Sequence, residues 1–140
     1  MNHPQSDRAM DDQIEQLIAD LQAYDVFPFY LRLCMARKAM TQSNLARAIH
    51  VTPAAVNQWL SNARLPSLSQ VALMAKALKL SQQEASNLHA ALTVHRIIKD
   101  QVEFLKASRD LGTSLWALDT VQPFIAAIGQ QYTPEYFEEA

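Results

Sequence analysis

Seven basic side chains, Arg32, Arg37, Lys38, Arg47, Arg64, Lys76 and Lys79, fall between Val26 and Leu80, a stretch of fifty-five residues without one Asp or Glu. The chemistry open to such a block is electrostatic: cations with no carboxylate among them form a footprint for a polyanion. Both flanks are acidic. Residues 1–25 hold one Arg against six carboxylates, and residues 81–140 hold four basic residues against eight acidic ones, so the net charge of −2 conceals a segregated distribution. A merely solvated basic face is the plain alternative, and the other residues of the block must decide between the two.

Little else in the chain invites catalysis. Cys34 sits in the apolar run Leu31, Leu33, Cys34, Met35 with no histidine beside it, and reads as a small buried hydrophobe in a reducing compartment. His89 and His95 are six residues apart, which places them on different faces of a helix, so no metal site is expected from them. There is no Gly-rich phosphate loop, HExxH or paired-cysteine motif. The chain is therefore expected to be no enzyme and to need no cofactor. No apolar run approaches the roughly 18 residues of a membrane span, and the polar start lacks the apolar core of a secretory signal. A soluble, cytoplasmic protein is the expectation.

The elements that must carry the basic block are helices. Only two glycines occur in 140 residues, no stretch alternates like a strand, and 49% of the residues are hydrophobic. Ile14, Leu17, Ile18 and Leu21 form one stripe of a first helix over residues 10–24, and Pro28 suits the first turn of a second helix reaching about Lys38. Thr41 is an expected N-cap, Thr52 with Pro53 a second, and Ser67 with Gln70 and Ser81 with Glu84 are expected capping boxes. The helix opened by Ser81 has its next stop near Gly112, and Leu88, Ala91, His95, Ile98, Val102 and Leu105 follow a 3,4 spacing along it. On that seam His95 reads as a satisfied core or interface histidine. Beyond Thr113, Pro123 and Gly129 with Thr133 and Pro134 are expected to divide the chain into short helices.

Within the basic block, the short helices from Gln42 and Pro53 are separated by a turn of about three residues. Ala46, Ile49, Val51, Val56 and Trp59 fall where two crossing helices bury side chains against each other, and small Ala46 permits a close approach. That is the layout of a helix-turn-helix, whose second helix presents its outer side to a duplex groove. The run MTQSNLARAIHVTPAAVNQWLSNARLPSL resembles the phage Cro and repressor type of helix-turn-helix, the xenobiotic-response-element family, over roughly residues 29–80. Thr41-Gln42, Leu45-Ala46, Val51, Val56, Trp59 and Pro66 carry the likeness together. It implies an all-α fold: a five-helix lambda-repressor-like DNA-binding domain with an N-terminal helix and a helical C-terminal extension.

Carried across by position, the resemblance makes Pro53, Ala54, Asn57 and Gln58 the base-reading residues. Asn or Gln can pair bidentately with adenine, and an alanine methyl can meet a thymine methyl. Gln42, Thr52, Asn62 and Arg64 become backbone contacts, which give affinity and register. Ala46, Val51, Val56 and Trp59 become the structural anchors. Three places depart from the family pattern. His50 and Ala39 stand where glycine is common, so each must accept a left-handed conformation. Met35 and Leu60 stand where the family often has an Arg and Glu ion pair, and an apolar contact between them is expected instead.

The expected organisation is an acidic N-terminal helix at residues 1–25, the DNA-binding domain at 26–80, and a helical oligomerisation region at 81–140. The dimerisation candidates are Leu88, His95, Ile98, Val102, Leu105, Trp116 and Phe124. The expected function is a sequence-specific, double-stranded DNA-binding regulator: a dimeric repressor of phage or mobile-element type on an inverted-repeat operator. The alternative is an antitoxin-like protein whose C-terminal region binds a partner protein while the motif autoregulates its operon.

Overall fold

The computed structural model describes residues 4–131, and every regular element among them is an α-helix: α1 (Pro4–Gln22), α2 (Val26–Arg37), α3 (Gln42–Ala48), α4 (Pro53–Leu60), α5 (Leu68–Ala77), α6 (Gln82–Asp110) and α7 (Ser114–Gln131). Hydroxyls open the middle ones. Thr41 Oγ1 accepts from the Asn44 N–H and Thr52 Oγ1 from the Ala55 N–H, both at 3.1 Å. Ser67 and Gln70, and Ser81 and Glu84, each exchange two hydrogen bonds as reciprocal capping boxes. Each cap satisfies amides that a helix start leaves without an internal partner, a contribution of about 1 kcal/mol.

Helix ends are built as regularly as the starts. Ala39, His50, Asn62, Lys79 and Gly112 have φ of 53°, 60°, 64°, 53° and 76°. After each, the next N–H reaches back five residues: Met40 to the Met35 carbonyl, Val51 to Ala46, Ala63 to Gln58, Leu80 to Ala75 and Thr113 to Ser108, at 2.8–3.0 Å. These are Schellman closures. The left-handed geometry expected at Ala39 and His50 is therefore present, and Asn62 and Lys79 share it.

The described chain divides into two compact units, Asp25–His95 and a second formed by the segment ending at Tyr24 together with Arg96–Gln131. In the first, Phe27, Tyr30, Leu31 and Cys34 of α2, Leu45 and Ala46 of α3, Val56 and Trp59 of α4, Val71 and Met74 of α5, and Leu88, Ala91 and Leu92 of α6 are buried. Full burial of each large side chain stabilises by roughly 1.5–3 kcal/mol. The Tyr30 hydroxyl donates to the Glu84 carbonyl at 3.3 Å, and Lys38 Nζ lies 3.4 Å from Glu84 Oε1, tying α2 to the start of α6. Burial pushes the Tyr30 phenol up to about 12 and the Cys34 thiol up to about 11, so both stay neutral at ordinary pH.

In the second unit, α1 packs against α7. Ile14, Ile18 and Leu21 of α1, Ile98, Val102 and Leu105 of α6, and Ala117, Leu118 and Val121 of α7 are buried. Arg109 pairs with Glu15, and Ser114 Oγ donates to Asp11 Oδ1 at 2.9 Å. The stop expected at Pro123 does not occur, since α7 continues through both Pro123 and Gly129. Pro123 and Asp119, whose carbonyl loses its helical donor to the proline, are both exposed residues, a setting in which solvent can take the place of the missing donor. The boundary expected at Thr133 and Pro134 lies outside the described residues.

Candidate nucleic-acid interface

Two short helices pinned against each other make this site. α3 and α4 pack directly, with Ala46 1%, Val56 0% and Trp59 4% exposed at their crossing and Val51 half-buried in the turn. The periodicity of an eight-residue helix does the rest. With Val56 and Trp59 turned inward, Pro53, Ala54 and Asn57 are exposed and Gln58 is half-buried, so the outer face of α4 is two small apolar residues followed by two amides. Gln42, the first residue of α3, and the cap Thr52 are exposed, as is Arg64 after α4.

Charge follows the same division. Asp25–His95 carries seven Lys and Arg against two carboxylates, Asp25 and Glu84, a net of +5 in a chain whose total is −2. Both of those carboxylates are engaged, Asp25 by Arg32 and Glu84 by Lys38. All seven basic residues are exposed.

The C-terminal end of α4 is held more firmly than its sequence announces. Arg32 Nη1 donates to the Leu60 carbonyl at 2.9 Å while its Nη2 meets Asp25. Met35 is buried and Leu60 half-buried, but the polar tie between α2 and α4 lies one turn before Met35, at Arg32. Asn62, expected at the sugar-phosphate backbone, turns its side-chain oxygen inward to His95 Nε2 at 2.8 Å. Arg32 and His95 are thus parts of the site's support that motif reasoning missed. An Asn directly after a helix end is a visible sign of a left-handed closure, whereas nothing local to residue 95 signals a partner thirty-three residues away.

Most of the expected dimer seam is occupied within one chain. Leu88 and His95 are buried in the first unit, and Ile98, Val102 and Leu105 in the second, with exposures from 0% to 5%. The correction has a simple cause: a 3,4 apolar spacing marks a face that must be covered, and here the chain's own helices cover it. Of the other two candidates, Phe124 is half-buried and Trp116 is 63% exposed. The Trp116 ring meets Phe104 edge-on with centroids 5.4 Å apart, and Leu111 and Leu115 are also exposed.

Among the described residues no helix is long and apolar enough to cross a membrane, and no group of three or more His, Cys, Asp or Glu is placed to hold a metal ion. Five helices that include a crossing pair, with a cationic surface and an outward second helix, have the form of a helix-turn-helix DNA-binding domain. The Helix-turn-helix family model matches residues 31–84. Over that segment the chain is similar to the helix-turn-helix of transcriptional regulators of the Cro/repressor, or xenobiotic-response-element, type. No curated protein and no solved structure matches the chain.

Proposed function

We propose that the protein is a cytoplasmic, dimeric repressor that places α4 in the major groove of each half of an inverted-repeat operator. Pro53, Ala54, Asn57 and Gln58 read base edges, the two amides favouring adenine, while Gln42, Thr52 and Arg64 meet the sugar-phosphate backbone. Asn62 serves the same surface by shaping the loop that carries Arg64. The observation that carries the reading is the outward face of α4: amides at Asn57 and Gln58 reach solvent while Val56 and Trp59 hold the helix from beneath. One such helix reads few bases, so a second copy across a two-fold axis supplies the remaining specificity. Trp116, with Leu111 and Leu115, offers an exposed apolar group for self-association; among the described residues Leu68 and Leu73 are exposed as well.

That exposed group also favours a second reading, in which the same surface binds a partner protein and the motif autoregulates an operon. Sedimentation of the full chain separates the two, because the repressor reading requires a dimer of the protein alone. Base reading is tested by gel-shift titration on DNA selected from a random pool. Gln58→Ala is expected to weaken the selected site by about 1–3 kcal/mol and to leave random DNA nearly unchanged. Equal weakening on both would remove Gln58 from base recognition.

A further inference from the structure

His95 is a buried titratable group that the DNA-binding surface itself does not use. It lies on α6 at 1% exposure. Its Nδ1 receives the Phe27 N–H at 3.4 Å, and its Nε2 stands 2.8 Å from Asn62 Oδ1. A backbone N–H can only donate, so Nδ1 must be the acceptor. A neutral ring then carries its proton on Nε2 and donates it to the Asn62 oxygen. One imidazole thus joins three pieces of the motif's scaffold: α6, the start of α2 and the left-handed residue that closes α4.

A second proton has no place in this arrangement. It would sit on Nδ1 and face the Phe27 N–H, donor against donor, and it would put a full positive charge at the N-terminal end of α2, where unpaired amides already concentrate positive potential. Along those segments the adjoining charged residues are mostly cations. Asp25 and Arg32 near the start of α2 are paired with each other, the loop after Asn62 contributes Arg64, and α6 contributes Arg96 and Lys99 within a turn.

We propose that His95 is a positioning residue for DNA binding: its neutral ring clamps the end of α4 to the start of α2, and protonation releases that clamp, so that affinity for the operator falls in acid. The proposal rests on α4 being the reading helix. Its sign is distinctive, because added positive charge by itself strengthens binding to a polyanion.

Two measurements on the full chain test it. Imidazole 15N NMR at neutral pH is expected to show a neutral His95 ring protonated on Nε2. Affinity for the duplex selected from random DNA, followed at constant ionic strength, is expected to fall in acid, by up to about tenfold per pH unit once the clamped ring takes up its second proton. His95→Gln should flatten that fall. Asn62→Gly, which keeps the left-handed backbone while deleting the oxygen, should flatten it too, and stands in if the Gln variant does not fold. A ring protonated on Nδ1 at neutral pH, or one slope shared by the wild type and both variants, would overturn the proposal. Absence of duplex binding at every pH would end the regulator reading and the coupling with it, while the ring's tautomer would still report whether the clamp exists.

Discussion

A left-handed backbone at a residue with a Cβ costs roughly 1–2 kcal/mol, and four of the five helix closures here hold one. Glycine would remove that strain while adding unfolded-state entropy of about 0.5–1 kcal/mol. Ala39→Gly and His50→Gly are therefore each expected to stabilise the fold by about 0.5 to 1 kcal/mol, read as a rise in the urea midpoint at unchanged slope. A loss at His50 would instead show that its exposed imidazole contributes to the turn. The sequence made these two strains visible, because glycine is usual at both places in the family. Lys79 gave no such sign, since a lysine near a helix end equally suits the last turn of an unbroken helix.

At the scale of elements, the middle of the chain repeats one junction: a left-handed residue, an apolar residue and a hydroxyl cap, at Ala39-Met40-Thr41, His50-Val51-Thr52 and Lys79-Leu80-Ser81. This is why α3, α4 and α6 are legible in the sequence, and the Ser67–Gln70 capping box marks α5 in the same way. Caps are local chemistry, written in four adjacent residues. What stayed illegible was long-range: that α1 packs on α7, that Pro123 sits inside a helix, and that His95 and Leu105 are buried within their own chain. An apolar stripe states that it must be covered without stating by what.

Charge at one of these junctions gives an acid dependence. The Glu84 carboxylate is held below its ordinary value of 4.5, first by the Ser81 backbone N–H, against a smaller opposing effect of burial, and also by the Ser81 hydroxyl and Lys38. A depressed carboxyl contributes stability that is present above its unfolded value and lost as pH falls through the folded one. Glu84→Gln keeps the capping geometry without the charge. Thermal unfolding from about pH 5 down to about pH 3 should show a shallower loss of stability in that variant than in the wild type. Equal slopes would mean that the carboxylate's partners hold it no more tightly than water does.

For the molecule as a whole, the central feature is a polarity of charge. The segment Asp25–His95, of net charge +5, presents α4, while the segment ending at Tyr24 carries five carboxylates and one Arg. Within the basic unit Arg37, Arg47, Arg64, Lys76 and Lys79 are all exposed. A protein built this way should bind DNA in two distinguishable parts: a salt-sensitive part shared by all sequences and a sequence-dependent part carried by four side chains of one helix.

The most direct measurement is therefore the affinity of the full chain for selected and for random duplex DNA as salt is raised. A protein neutralising about six to ten phosphates should lose ~10³–10⁵ in affinity between about 50 and 200 mM salt, with the selected duplex tighter than the random one throughout. Affinity that is indifferent to salt, or identical on the two duplexes, would contradict the assignment of α4 as a groove-reading helix.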